Sequence, residues 1–283
     1  MDAPALRWEL EALRRQLAPL LPGIAVERVA RTDSTNTRLL ERARTDATPC
    51  LLVAEDQTAG RGRQGRVWAS APVASLTFSL ALPLAPKDWS GLSLAVGVAL
   101  ADALEPADCP SCAAPRIGLK WPNDLWLIDA PAAGGRKLGG VLIETVASGG
   151  LRIAVIGIGL NLLPRSEQAP DPGLSSGYAG LYELDPDLTA PKALVAVAAP
   201  LLRALLRFES VGFEPFMPAW ARRDLLRGQP VSTTAAAWPE GESEGVDAQG
   251  ALLLRARGRL HRVVSGEVSV RPQPATLFGA APC

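Results

Sequence analysis

Leu6, Leu10, Leu13, Leu17 and Leu20 recur every three or four residues with Glu and Arg between them. That spacing predicts an amphipathic helix over residues 4–20, closed by Pro22-Gly23. Residues 25–30 read as a short strand. Asp33-Ser34-Thr35-Asn36 then offers capping side chains to a helix through Leu39, Leu40 and Ala43. The apolar run 51–54 predicts a buried strand that empties into a polar, Gly/Arg-rich loop over 56–68. Residues 76–84 alternate as a strand, and 92–104 form an apolar helix stopped by Pro106. Three further strands are predicted at 117–121, 139–146 and 152–163, with a turn at Ser148-Gly149-Gly150. Residues 164–190, rich in Pro, Gly and Ser, read as a long surface loop, and helices return over 191–207 and 213–226.

At Gly228 the pattern changes to short β-like runs, 230–234, 251–254 and 267–270, separated by polar turns. The expected organisation is therefore an α+β part over residues 1–227, with helices on one side of a sheet, and a small β module over 228–283.

The 283 residues carry 29 Lys+Arg against 29 Asp+Glu, so the net charge is zero and general attraction to nucleic-acid phosphates is not expected. No apolar run is long enough to cross a bilayer, and the start lacks the basic-then-apolar pattern of a secretory signal, which predicts a cytoplasmic protein. His261 is the single histidine, so any Ser-His or Cys-His nucleophile pair would need it, and a His-rich metal cage is excluded. It is expected at the surface of the β module. Cys109-Pro-Ser-Cys112 is a lone C-x-x-C, read as a reduced loop pair. Only Lys87, Lys120, Lys137 and Lys192 are lysines; all other cations are arginines, so a lysine inside a motif marks a place where a compact ammonium serves better than a guanidinium fork.

Three stretches carry chemistry. Gly60-Arg61-Gly62-Arg63-Gln64-Gly65-Arg66-Val67-Trp68 combines glycines, which let backbone approach a ligand, with guanidinium groups suited to phosphate and carboxylate oxygens. It lacks the Gly-Lys-Ser/Thr of a Walker loop and the following helix of a dinucleotide turn. Lys120-Trp121-Pro122-Asn123-Asp124 precedes Lys137-Leu138-Gly139-Gly140, where Lys137 opens a strand and can stand as a fixed positive charge over a reacting carboxylate or phosphate. Gly157-Ile158-Gly159-Leu160-Asn161 reads as a strand passing close to a ligand.

Taken in order, and with Asp33-Ser34-Thr35-Asn36 and Gln57-Thr58-Ala59 ahead of the glycines, these motifs closely resemble those of the bacterial biotin protein ligases. The resemblance runs from about Arg31 to Arg271. It includes Arg227-Gly228-Gln229-Pro230-Val231, the Gly245 to Leu252 turn and Gly266-Glu267-Val268, which look like that family's SH3-like module. It implies a class II synthetase-like catalytic domain, with a mixed sheet and helices on one side, followed by a C-terminal SH3-like β-barrel. The implied reaction is ATP-dependent ligation of biotin, through biotinyl-5′-AMP, to a lysine of a biotin carboxyl carrier domain, with Mg²⁺ carried mainly by ATP.

By the same resemblance Lys137, Arg63 and Asp124 are the catalytic residues. Biotin would be bound by Ser34, Thr35, Asn36, Gln57, Gly60, Arg61, Arg63, Lys137, Gly139, Gly140 and Gly157, and the nucleotide or adenylate by Arg63, Arg66, Trp68, Asn123, Asp124, Lys137 and Asn161. Tyr178 or Tyr182 is a candidate to stack on adenosine. The insert 130–136 is expected to be a hairpin loop without catalytic consequence.

Some family members carry an N-terminal DNA reader; about 30 residues precede the Ser-Thr-Asn segment here, room for one helix and one strand, so no nucleic-acid partner is expected. Family members can pair through a sheet edge, and residues 153–162 are the candidate for a homodimer contact, although they read equally well as interior. Three other readings stay open: a related ligase or acyltransferase for lipoate or octanoate, a biotin-responsive regulator without turnover, and a Gly/Arg-loop nucleic-acid binder.

Overall fold

The computed structural model describes residues 6–105, 114–130, 134–163, 177–264 and 270–272. The Cys109/Cys112 pair, the Gly266-Glu267-Val268 motif and the middle of the 164–190 segment lie outside them. Helix α1 (Leu10–Leu17) leads into β1 (Ala25–Thr32), α2 (Thr35–Ala43), β2 (Cys50–Gln57), β3 (Ser75–Pro83) and α3 (Leu92–Leu104). Then come β4 (Ile117–Lys120), β5 (Asp124–Ala130), β6 (Gly134–Ser148), β7 (Leu151–Asn161), α4 (Ala190–Val211) and α5 (Met217–Arg223). The chain continues through β8 (Pro230–Thr233), β9 (Glu240–Val246), β10 (Leu252–Ala256), β11 (Arg259–Val263) and β12 (Val270–Pro272).

The first seven strands form one mixed sheet, ordered β1-β2-β3-β7-β6-β5-β4. Only β1 and β2 run parallel, because the α2 crossover between them returns the chain in the same direction. Side-chain alternation on β3 divides the two faces. Leu76, Phe78, Leu80 and Leu82 enter the main core with α1, α3 and α4, whereas Ala81 joins Leu39, Ala43, Cys50, Leu52, Ile153 and Val155 in a second cluster under α2. Helices therefore cover one side as expected from sequence, with the exception of α2, which packs on the other. The cause is local: that face offers small residues and the polar Thr77 and Ser79 near the α2 N-terminus, so a short helix with a polar start fits there.

The 92–104 helix matches its expected bounds. It is buried nearly all round, between the sheet and α4, which is why its apolar residues show no single stripe. Strand β7 is paired along its length with β3 on one side and β6 on the other, so the 153–162 stretch weighed as a dimer edge is interior. Strand β5 was not anticipated: Leu125-Trp126-Leu127-Ile128 is a short run directly after the Pro-Asn-Asp turn. With β5 in place, the described part of the 130–136 insert becomes the ends of a β5–β6 hairpin. Arg136 there forms an ion pair with Glu183 at 2.5 Å. That bridge, with fully buried Ala179 and Leu181, shows that residues 177–183 are packed and not a surface loop.

The second sheet has five antiparallel strands, β11-β10-β9-β8-β12. Two of its strands, β9 and β11, were missed because their sequences are mostly polar. Val231, Leu252, Leu254, Val263 and Val270 belong to the same apolar cluster as the larger sheet. Trp121, fully buried, donates its indole N–H to the Gly250 carbonyl at 3.0 Å, so the aromatic of the Lys-Trp-Pro-Asn-Asp motif ties the two sheets together. His261 is half-buried and stacks on Trp238, with ring centroids 3.5 Å apart. Among the described residues, no helix is long and apolar enough to cross a membrane.

Candidate active site

The Gly/Arg loop folds as a small hairpin. Gly62 N–H donates to Arg66 O at 2.7 Å, Trp68 N–H donates to Gly60 O at 2.8 Å, and Arg61 bridges Val67. At its tip Gln64 and Gly65 take positive φ, 57° and 70°. A Cβ on Gly60 would lie 2.3 Å from the Trp68 carbonyl oxygen, so backbone closure of the hairpin requires glycine.

Facing the loop, the β4–β5 turn places Asp124 opposite Gly140 of β6. Lys137 reaches across, and its Nζ sits 2.8 Å from Asp124 Oδ1, each side chain only 17% exposed. Asn161, on neighbouring β7, donates to the Lys137 carbonyl at 3.2 Å, and Lys137 Nζ stands 5.9 Å from the Trp68 ring centre. Arg63 Nη1 lies 3.5 Å from Asn123 Oδ1, while Asn123 Nδ2 donates to Val141 O at 2.8 Å. The loop and the strand pair thus converge on one carboxylate.

Asp124 is surrounded by positive charge. Burial lowers the Arg63 pKa from its ordinary value; attraction to Asp124 opposes this and Arg66 adds to it. Lys120 is also held low by burial, with Asp124 pulling the other way and Lys137, Arg271 and Arg66 repelling its charge. Two of these cations were not singled out from sequence. Lys120 was visible only as a scarce lysine in a motif, and Arg271 enters from β12 of the second sheet. Several cations thus gather near Asp124, an arrangement suited to an anion.

At the other end of the site lies a neutral polar cluster. Ser34, Thr35 and Asn36 are each 3% exposed, at the N-terminus of α2, with Gln57 close by. Gln57 Oε1 accepts from Thr35 N at 2.7 Å and from Thr35 Oγ1 at 3.0 Å. Ser34 caps the helix, accepting from Thr37 N.

Between the two ends, β7 supplies glycines where side chains pass over it. A Cβ on Gly157 would lie 2.2 Å from Asn36 Oδ1, and one on Gly159 would lie 2.3 Å from the Trp68 ring. Across the sheet, a Cβ on Gly139 would meet Gly159 O at 2.7 Å, and one on Gly140 would come within 3.3 Å of Asp124 Oδ1. At about 3.3 Å per residue, Gly157 to Asn161 spans roughly 13 Å from the neutral to the charged end. Two polar atoms in this region, Trp68 Nε1 and Asn161 Oδ1, are buried with no hydrogen-bond partner.

Most residues singled out from sequence are therefore brought together. Arg61 is the one whose side chain turns elsewhere, to a bidentate pair with Glu144. Of the two tyrosines, Tyr178 has its backbone bridged to Lys137, whereas Tyr182 is exposed.

Gly159→Ala is expected to undock the end of the loop, since the added methyl overlaps the Trp68 ring, at a cost of about 1–3 kcal/mol. Faster proteolytic cutting within 60–68 than in the parent protein is the readout; unchanged cutting contradicts the packing described.

Residues 29–161 match the biotin/lipoate A/B protein ligase family, and residues 233–271 match the biotin protein ligase C-terminal domain. The biotin–(acetyl-CoA-carboxylase) ligase of Paracoccus denitrificans is 33% identical over 85% of this chain and 98% of its own length. The bifunctional ligase/repressor BirA of Salmonella typhimurium is 36% identical over 84% of this chain and 72% of its own. Among solved structures, the Aquifex aeolicus biotin protein ligase in complex with biotin and ATP aligns with a TM-score of 0.71 and 28% identity, covering 88% of this chain and 99% of that one.

Proposed function

This chain belongs to the biotin/lipoate protein ligase family, and from that premise we propose that it joins biotin to a lysine of a biotin carboxyl carrier domain at the expense of ATP. The observation that carries the reading is a site with two unlike ends: buried neutral donors and acceptors at Ser34, Thr35, Asn36 and Gln57, and cations around Asp124. A long acid with a neutral hydrogen-bonding head matches these two ends. Lipoate and octanoate have the acid but offer no such head, so the polar end favours biotin over them.

In the first step a biotin carboxylate oxygen attacks the α-phosphorus of ATP, the bond to the bridging oxygen breaks, and pyrophosphate leaves. Two anions must meet, and Lys137 is suited to stand between them, neutralising charge as the P–O bond forms. Asp124 holds the lysine in place through the 2.8 Å contact. Arg63 and Arg66 would cover the phosphates from the loop, and Trp68 and Asn161 offer their unpartnered polar atoms to the bound acyl-adenylate. In the second step the carrier lysine, as a neutral amine, attacks the acyl carbon. AMP leaves, one amine proton is lost to solvent, and an amide remains.

Mg²⁺ accompanies ATP and neutralises phosphate charge. Asp124 would be the carboxylate available to help hold that ion beside the phosphates. We place this chemistry in the larger sheet and its helices, with a second module from about Gly228 onward, whose Arg271 lends charge near Lys120.

Purified protein is expected to catalyse pyrophosphate–ATP exchange that depends on biotin; no exchange with biotin, Mg²⁺ and ATP present overturns the proposal. Arg63→Ala should release biotinyl-AMP at least about tenfold faster, equal to 1.4 kcal/mol of lost retention, in a rapid-filtration assay. Retention equal to the parent protein's would remove Arg63 from the role of lid.

A further inference from the structure

Glu144 has no part in the steps above, yet it joins two of the site's components. It lies on β6, its side chain 23% exposed, and its carboxylate receives Arg61 Nη2 at 2.8 Å and Nη1 at 3.2 Å. The same Oε2 accepts from Asn36 Nδ2 at 3.0 Å. Arg61 belongs to the Gly/Arg loop and Asn36 to the neutral polar end of the site.

The chemistry of the groups gives the contact a direction. A carboxylate accepts only, so it fixes the Asn36 amide with Nδ2 toward Glu144 and Leu142 O (3.3 Å) and with Oδ1 turned away. Ser79 Oγ lies 2.6 Å from that Oδ1 and 2.7 Å from Thr35 Oγ1. A hydroxyl has one proton and an amide oxygen has none, so the Ser79 proton is committed to Asn36. Thr35 must then give its own proton to Ser79 or to Gln57 Oε1, and it shows a ligand only lone pairs. The Glu144 charge therefore sets the polarity of the site's neutral end, three side chains away. Gly157 belongs to the same device, since any Cβ there would displace Asn36.

We propose that Glu144 is a positioning residue that couples the Gly/Arg loop to the neutral polar end of the site, orienting Thr35 as an acceptor for a ligand N–H while holding Arg61. The ligand's identity as biotin, whose ureido group carries such N–H donors, rests on the function proposed above; the coupling itself does not. A plain ion pair with a half-exposed arginine would contribute little and would act on the loop alone.

The test compares the full chain with Glu144→Ala, Glu144→Gln and Arg61→Ala. In ligand-free protein, Glu144→Ala is expected to speed amide hydrogen exchange both in 60–68 and in 34–37, whereas Arg61→Ala speeds it in 60–68 only. By calorimetry, Glu144→Ala should weaken biotin binding roughly tenfold or more, as expected for losing a hydrogen bond to a charged group, and Arg61→Ala should weaken it less. Glu144→Gln keeps the side-chain volume and an acceptor oxygen; it should recover protection at 34–37 more fully than at 60–68, and it carries the comparison if the alanine variant exchanges globally. Equal behaviour of the Glu144 and Arg61 variants at 34–37 overturns the coupling. A parent protein that binds no biotin would sink the ligand assignment instead, while the exchange pattern still judges the coupling.

Discussion

Lys137→Ala is expected to slow biotin-dependent pyrophosphate exchange at least about a hundredfold, the scale seen when one preorganised charge partner of a transition state is removed. The reason is positional. The Lys137 ammonium is held on a strand, with its carbonyl gripped by Asn161 and its Nζ 2.8 Å from Asp124, so little reorganisation is needed when two anions approach. Without it, Asp124 would face the incoming carboxylate with one fewer cation between them, and repulsion would rise where charge must be offset. Lys137→Arg should not restore the rate, since a planar fork on a longer stem cannot occupy the place of a compact ammonium beside Asp124. Biotin binding should suffer less than turnover, because the neutral end of the site is untouched. Exchange within a few-fold of the parent rate in the alanine variant would remove the role assigned to Lys137.

Arg223→Ala should be the most damaging single change to stability. Arg223 is 3% exposed and joins α5 to the end of α3 and to β4. Its Nε meets Asp102 at 3.0 Å, its Nη1 meets Glu105 at 2.8 Å and Ile117 O at 3.0 Å, and its Nη2 meets Glu105 O at 2.7 Å. Removing the guanidinium leaves the Glu105 carboxylate, itself only 11% exposed, with the backbone N–H groups of Arg116 and Ile117 but without its cation. Breaking a buried pair from one side costs about 3–5 kcal/mol, which for a chain of this size lowers the melting temperature by on the order of ten degrees. The double variant with Glu105→Ala should recover part of that loss, because no lone charge remains buried. A melting temperature unchanged in Arg223→Ala would contradict the ion-pair geometry.

The parts of the site that were legible in the sequence are those where chemistry and backbone geometry act on the same few residues. Gly60 is needed because the loop closes on its own carbonyl, Gly157 and Gly159 because Asn36 and Trp68 lie on the strand, and Lys137 and Asp124 because a compact charge pair fits there. The composition of those segments already departs from ordinary loops and strands. What escaped notice depends on the third dimension. Glu144 looks like a solvent-facing residue of an alternating strand until Arg61 and Asn36 arrive from elsewhere in the chain. Arg271 lies far along the sequence and nears Lys120 only once the second sheet has packed through Trp121 and Gly250. Strand β9, Glu-Gly-Glu-Ser-Glu-Gly-Val, has no apolar alternation to read, since the neighbouring strands supply its pairing. The 177–183 segment resembled a loop by composition and is held by the Arg136–Glu183 pair, which no local pattern announces.

The most direct measurement is the intact mass of a biotin carboxyl carrier domain after incubation with this protein, Mg²⁺, ATP and an equimolar mixture of biotin, lipoate and octanoate. A gain of one biotinyl group on the carrier's lysine, absent when ATP is omitted, is the predicted outcome. A carrier that stays unmodified, or that gains lipoyl or octanoyl in preference to biotinyl, would contradict it.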